Sequence, residues 1–351
     1  MPKNTHADDA DRTNWRLPRP EPASIQLYEP AQLKALIEVA GGNSGGDFGV
    51  DSDDRKRIAA LERVAASFLG PERKVLTGTP ALVDDLDALK QRIPSFGPVV
   101  DLFRREALAS SLNGAPMRVT PLLLVGPPGI GKTYAARRLA AALGETFVSI
   151  SMTLCDDVGD LVGHSASWRA ARPGLIATTL LDDLSASPVI LVDEIEKAPH
   201  MGHQERPHDI FLNLFEPENA SAFADAFLGL EIRADHLFWL CTANATEGIP
   251  APVLDRMLII PIEPPEGAER RYVAQNVFNT FAALRRSTQR RLDADALAIL
   301  AEYSPRLMGK LLLLASGYAA ERGTMTILAD DLERAKSIAK GEDPMSRIGF
   351  I

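Results

Sequence analysis

The sequence predicts an α/β fold: a parallel five-stranded sheet, preceded by a helical region and followed by a small helical lid. Three observations carry that prediction. From residue 116 short apolar runs alternate with helical stretches, the pattern of a parallel sheet wrapped by helices. A glycine-rich phosphate-binding motif sits between one such run and a helix. Beyond Pro264 and Pro265 the apolar runs stop and helical periodicity takes over.

Taken in order, residues 1–25 are polar and proline-rich and read as a disordered tail. Residues 26–115 read as an all-helical region. There Leu33, Leu36, Ile37 and Ala40 share a helical face, as do Ile58, Leu61, Ala65 and Phe68. A glycine-rich loop separates those stripes. Leu82, Leu86, Leu89 and Ile93 form a third stripe, and another helix is expected after Pro98. This region names no chemistry. Within 116–263, strands are expected at 121–125, 146–150, 189–192, 237–242 and 257–262. The segment 264–340 reads as an all-helical lid, with helices at 267–285, 293–303, 305–321 and 328–339. Residues 341–351 form a C-terminal tail with an apolar end.

The chain has 351 residues, 38 basic against 47 acidic, and a formal net charge of −9. That balance argues against a generic phosphate-backbone binder and so against nucleic acid as partner. Cys155 and Cys241 are too few for a disulfide framework and lack metal-ligand spacing, so a reducing cytoplasm fits. No apolar leader opens the chain, and no apolar run approaches a membrane span. His200, His203 and His208 match no metal-site spacing and read as a solvated loop.

The motif is Gly126-Pro127-Pro128-Gly129-Ile130-Gly131-Lys132-Thr133, with Tyr134 continuing into the helix. The glycines let the backbone turn its N–H groups inward at phosphate oxygens, and the helix N-terminus adds partial positive charge. Lys132, read as a solvated cation in the empty site, reaches toward the β- and γ-phosphates of ATP, and the Thr133 hydroxyl toward Mg²⁺. A second apolar strand ends in Asp193 and Glu194. Asp193 suits the Mg²⁺ shell, and Glu194 suits polarisation of the attacking water. Together the two motifs predict nucleotide hydrolysis.

From about residue 120 to 340 the chain resembles the ATPase module of the Lon proteases, within the AAA+ P-loop superfamily. The matching stretches are Glu216-Pro217-Glu218-Asn219, Phe223-Ala224-Asp225, Cys241-Thr242-Ala243-Asn244-Ala245 and the segment 249–257, which includes Asp255-Arg256-Met257. The resemblance implies that Asn244, at the tip of a strand lying between the two motif strands, orients the lytic water and contacts the γ-phosphate with its amide. It implies that Arg256 is an arginine finger serving a neighbour's nucleotide, and hence a homo-oligomer, a hexamer in that family. It aligns Arg306 with the lid's sensor arginine. It places Trp168 and Arg169 in a pore loop, where Arg169 stands in place of the family's apolar residue. In the Lon proteases a Ser-Lys peptidase follows the lid, and only Lys340 to Ile351 follow the last expected helix here. The resulting expectation is an ATP-driven ring that unfolds or remodels a protein client, itself or for a separate effector, with no protease of its own. The alternatives are a nucleic-acid motor or loader and an ATP-state regulatory switch.

Overall fold

The computed structural model describes residues 23–42, 52–154, 158–165, 171–198, 208–285 and 290–339. It opens with β1 (Ser24–Gln26), α1 (Pro30–Gly42), α2 (Ser52–Ala65), β2 (Glu72–Lys74), α3 (Pro80–Arg92) and α4 (Gly97–Asn113). β1 and β2 pair antiparallel, which corrects the all-helical expectation for this region. Phe68 is also corrected: it lies beyond the end of α2 and is 95% exposed.

The centre is a parallel sheet of β3 (Leu122–Val125), β4 (Phe147–Ser151), β5 (Val189–Asp193), β8 (Phe238–Ala243) and β9 (Leu258–Pro261). Their order is β4-β5-β8-β3-β9. Crossovers between parallel strands lay helices on the faces of the sheet, and the inner strands β5, β8 and β3 are buried on both sides. The side chains divide by the two-residue period of a strand. Leu123, Ile190, Val192, Trp239 and Cys241 enter one core, and Leu122, Leu124, Val189, Leu191, Phe238 and Leu240 the other.

The N-terminal helices are split between these two cores. α1 and α2 contribute Leu33, Leu61 and Val64 to the first, beside α7 (Leu175–Asp182). α3 and α4 contribute Leu86, Leu89, Val100 and Phe103 to the second, beside α5 (Lys132–Leu143). Arg73, only 2% exposed, fastens the ribbon to α7. Its Nε donates to the Leu180 carbonyl at 3.2 Å and its Nη2 to that of Leu181 at 2.9 Å. These are unsatisfied C-terminal carbonyls of the helix, where a cation also meets the negative end of the dipole. Burial lowers the pKa of this guanidinium, opposed by the charges of Tyr28, Asp183 and Asp182.

Short helices α6 (Gly159–Val162), α8 (Asp209–Leu214), α9 (Pro217–Ala220) and α10 (Ala251–Leu254) and a hairpin of β6 (Phe223–Ala224) with β7 (Glu231–Ile232) fill the connections. A third core unites α11 (Gly267–Leu284), α12 (Ala294–Leu300), α13 (Pro305–Glu321) and α14 (Ala329–Ala339). A two-residue parallel pair, β10 (Arg291–Leu292) with β11 (Thr326–Ile327), adds strand to a segment expected to be all helix. No helix of the described residues is long and apolar enough to cross a membrane.

His236, 4% exposed just before β8, yields a pH prediction. Burial pushes its imidazole down to about 4, against the pull of Asp235 and with that of Arg118 and Arg233. The folded chain therefore binds this proton less readily than the unfolded chain, whose imidazole titrates near ~6.5. Stability from this group is complete above that value and is lost as pH falls toward 4. Between pH ~7.5 and ~5 the loss amounts to about 2 kcal/mol. Urea unfolding of wild type and His236→Gln at both pH values reads it. The variant lacks this part of the loss, and identical pH dependence in both proteins contradicts a neutral buried imidazole.

Candidate functional site

The turn from β3 to α5 is shaped by backbone demands that only glycine meets. A Cβ at position 126 would come within 2.4 Å of the Ile262 carbonyl oxygen, where the chain leaves β9. Gly131, at φ 101°, supplies the left-handed residue immediately before α5. The turn delivers Lys132 with its ammonium inward. Nζ donates to the Gly126 carbonyl at 2.6 Å, the Pro127 carbonyl at 3.1 Å and Asn244 Oδ1 at 3.3 Å. Lys132 is only 9% exposed, so the expected solvated cation is corrected to a buried, hydrogen-bonded one. Burial lowers its pKa, opposed by Glu196, Asp193 and Glu194.

Thr133 and Asp193 meet directly, with Oγ1 donating to Oδ2 at 3.0 Å. The other carboxylate oxygen of Asp193 accepts from the Thr242 hydroxyl. That hydroxyl also accepts the Glu194 N–H at 3.0 Å, so one buried side chain of β8 sets the end of β5. Oxygen donors converging at one point are the kind of set Mg²⁺ takes, and Thr133 and Asp193 are the residues that would hold it. Glu194 has both oxygens engaged. Lys197 Nζ donates to Oε1 at 2.6 Å and Thr153 Oγ1 to Oε2 at 2.6 Å. Those two bonds, Lys197 first, hold its carboxyl below the usual carboxylate range. Both bonds favour the ionised form, and each oxygen keeps a second lone pair free to accept.

Asn244 stands at the end of β8, and β8 does lie between β3 and β5. Its amide meets Lys132 on one side and Glu196 on the other. A cavity of about 700 Å³ joins these groups. Pro128 to Tyr134, Asp193, Glu194 and Asn244 line its polar end, and Arg306 reaches it from the start of α13. The other end is more apolar, formed by Ile93, Pro94 and Phe96 facing Val273, Val277 and Phe281 of α11. Two hydrogen bonds tie those walls together: Ser95 Oγ donates to Glu269 Oε1, and Asn276 Nδ2 to the Arg92 carbonyl at 3.3 Å.

Arg256 is not among the residues lining this cavity. It lines a separate one of about 380 Å³ near the N-terminal ends of β3, β8 and β9, with Arg118, Asp235 and His236. Its Nε makes an ion-pair contact with Glu216 Oε1 at 2.9 Å, and Nη1 donates to the Pro252 carbonyl at 2.8 Å. Trp168 and Arg169 lie outside the described residues, as do Cys155, His200, His203, residues 1–22 and the C-terminal tail; Ser24 and Ile25, read as the end of a disordered tail, belong instead to β1. The stem of the Trp168 loop is described. Asp225, fully buried, accepts the N–H groups of Gly174, Phe227 and Leu228 at 2.8, 3.0 and 2.8 Å. Burial raises its pKa, partly offset by those bonds. His208 belongs to no solvated loop: it is 1% exposed with Nε2 at 2.9 Å from the Ile195 carbonyl.

Thr153, Thr242, Glu196 and the 92–96 wall escaped the reading of the sequence. Glu196 was visible as a third acid after the apolar strand, but nothing local to it shows that it turns toward Asn244.

Residues 122–263 match the family model described as "ATPase family associated with various cellular activities (AAA)". A mitochondrial Lon protease homolog of Aspergillus niger is 37% identical over 154 residues, 44% of this chain and 14% of the relative. Lon protease 2 of Hydrogenovibrio crunogenus is 33% identical over 268 residues, 74% of this chain and 28% of the relative. The matched segment is thus less than a third of either relative. A point mutant of Thermotoga maritima RuvB shares the fold, with TM-score 0.50 at 16% identity over 76% of this chain and 77% of that one.

Proposed function

We propose, from an AAA ATPase domain related to the ATPase module of the Lon proteases, that this chain hydrolyses Mg-bound ATP as one subunit of a homo-oligomeric, hexameric ring that remodels a protein partner in the cytoplasm. The observation that carries the reading is the convergence of Lys132, Thr133, Asp193, Glu194, Asn244 and Arg306 on one cavity. In this reading residues 116–263 form the nucleotide-binding unit, 264–340 the lid, and Trp168 with Arg169 grips the client. The protease activity in the relatives' names is left with them.

The backbone N–H groups of Gly129, Ile130, Gly131 and Lys132 would receive the triphosphate, and the apolar end of the cavity a flat base. Lys132 would exchange its two carbonyl partners for β- and γ-phosphate oxygens. Bound Mg²⁺ would neutralise phosphate charge. Glu194 would take up the attacking water's proton on a lone pair that Thr153 and Lys197 leave open. Arg306 closes the site from the lid, and Arg256 would come from a neighbouring subunit.

Lys132→Ala tests the phosphate cradle. ATP binding is expected to weaken ~10²-fold or more, since a charge-assisted contact to phosphate disappears. Because the Gly126 and Pro127 carbonyls lose their donor, stability also falls, by about 1–3 kcal/mol. Isothermal titration of ATP together with a thermal melt measures both. Unchanged ATP affinity rejects the nucleotide site. Stimulation of the ATPase by an unfolded protein rather than by DNA supports a protein client, and the reverse result favours a nucleic-acid motor.

A further inference from the structure

β5 does not simply stop at Asp193. Glu194 takes φ 57° and ψ 49°, the one positive φ outside glycine among the described residues. A left-handed residue bearing a Cβ costs roughly 1–2 kcal/mol. What it achieves is a reversal into the 3₁₀ turn Ile195–Lys197, closed by the Lys197 N–H on the Glu194 carbonyl at 2.9 Å. In a continuing strand Glu196 would lie about 10 Å beyond Asp193. The turn instead brings it against the end of β8. There its Oε1 accepts two hydrogen bonds from one residue, the backbone N–H of Asn244 at 3.0 Å and Asn244 Nδ2 at 3.0 Å. Gly248, at φ 94°, backs the turn so closely that a Cβ there would lie 3.1 Å from the Glu196 carbonyl oxygen.

These contacts decide which way the Asn244 amide faces. A carboxylate only accepts hydrogen bonds, so the amide group beside Glu196 must be the NH₂. An ammonium only donates, so the group 3.3 Å from Lys132 Nζ must be the carbonyl. Among the described residues, Glu196 Oε2 is buried with no hydrogen-bond partner. A buried carboxylate oxygen left without a donor is costly.

We propose that Glu196 is a positioning residue for hydrolysis: it commits Asn244 Nδ2 to itself, so that Oδ1 faces the nucleotide cavity. Asn244 then acts on the attacking water as an acceptor, opposite Glu194, and does not donate to the γ-phosphate. The inference rests on the ATPase reading of the site. It narrows the sequence expectation, in which the Asn244 amide both orients the lytic water and contacts the γ-phosphate.

The test is a double-mutant cycle on the intact chain, measuring kcat, ATP dissociation constant and melting temperature. Glu196→Ala is expected to lower kcat about tenfold while ATP affinity stays within roughly threefold. Glu196→Gln keeps an acceptor oxygen and most of the shape, and recovers part of that loss. In an Asn244→Ala background, Glu196→Ala costs no further activity, because its effect passes through the amide. Additive losses overturn the proposal, as does a glutamine variant no better than alanine, or wild-type kcat in either single alanine variant. A wild-type chain without ATPase activity instead overturns the reading of the whole site. An active wild type with an additive cycle overturns the role of Glu196 alone.

Discussion

Glu194→Gln is expected to lower kcat for ATP hydrolysis ~10²–10⁴-fold, the usual contribution of a positioned base, while ATP affinity stays within roughly threefold. Glutamine preserves length and shape but cannot take a proton from water. Glu194 lines the same cavity as Thr133, Asp193 and Asn244, and in the proposed reading the base of ATP takes the 92–96 wall, so ground-state contacts to it would be untouched. The variant loses the ion pair with Lys197, but both side chains are about 36–45% exposed, so solvent screens that pair and the melt moves little. The left-handed φ at position 194 is a backbone property that glutamine inherits. Single-turnover hydrolysis beside equilibrium binding of ATP separates the two effects. Turnover at the wild-type rate retires Glu194 as the base. A matched loss of affinity would place Glu194 in binding instead.

The nucleotide site was legible because its parts are local. A strand, a glycine turn and a helix are contiguous from Leu122 to Leu143, and each step has its own residue preference. Asp193 and Glu194 could be read for the same reason, after a run of four buried residues, Val189 to Val192. Even the position of β8 between β3 and β5 followed from the resemblance around Asn244. What escaped depends on contacts between distant segments. α1 to α4 show the same amphipathic stripes, and a stripe does not say which face of a sheet it will cover. The ribbon strands are three residues each, too short to show a two-residue period, and the middle of β2 is a buried arginine. Arg73 and His208 are polar residues whose burial is justified by backbone carbonyls far along the chain, at Leu180, Leu181 and Ile195. Composition reads both as solvent-facing. The same reason hid the cavity wall at 92–96: it is completed by α11, more than 170 residues later.

Those N-terminal contacts also change what the region does for the site. Arg57 donates twice to the Leu228 carbonyl, at 3.2 and 2.9 Å, within the segment whose Asp225 holds Gly174. Arg73 fastens the opposite end of α7. The helix that follows the Trp168 loop is thus anchored at its start by the β6–β7 hairpin and at its end by the ribbon. A region that names no chemistry therefore contacts both the hairpin that holds the start of α7 and the end of α7 itself. It does so through buried polar contacts, which are intolerant of losing one partner.

Arg256→Ala is expected to lower kcat by ~10³–10⁵-fold, the range for a guanidinium that neutralises charge on a transferring phosphoryl group, with ATP binding retained. Within its own chain Arg256 faces the other cavity, paired with Glu216 and the Pro252 carbonyl rather than with the Asp255 beside it. That position leaves two accounts. In one, Arg256 leaves Glu216 to reach a neighbour's nucleotide; in the other, it only braces the turn before β9. Both side chains of the pair are partly exposed, so the bracing account predicts a small loss of stability and little loss of turnover. The finger account predicts the reverse, and a further result that no single-chain effect reproduces. When Arg256→Ala and Glu194→Gln subunits are mixed, some interfaces pair an intact Arg256 with an intact Glu194 on the neighbouring site, and hydrolysis returns there. Activity in the mixture above the sum of the two separate variants establishes action across the interface. If mass spectrometry confirms mixed assemblies and no activity returns, Arg256 works within its own subunit, and a ring is no longer required for hydrolysis.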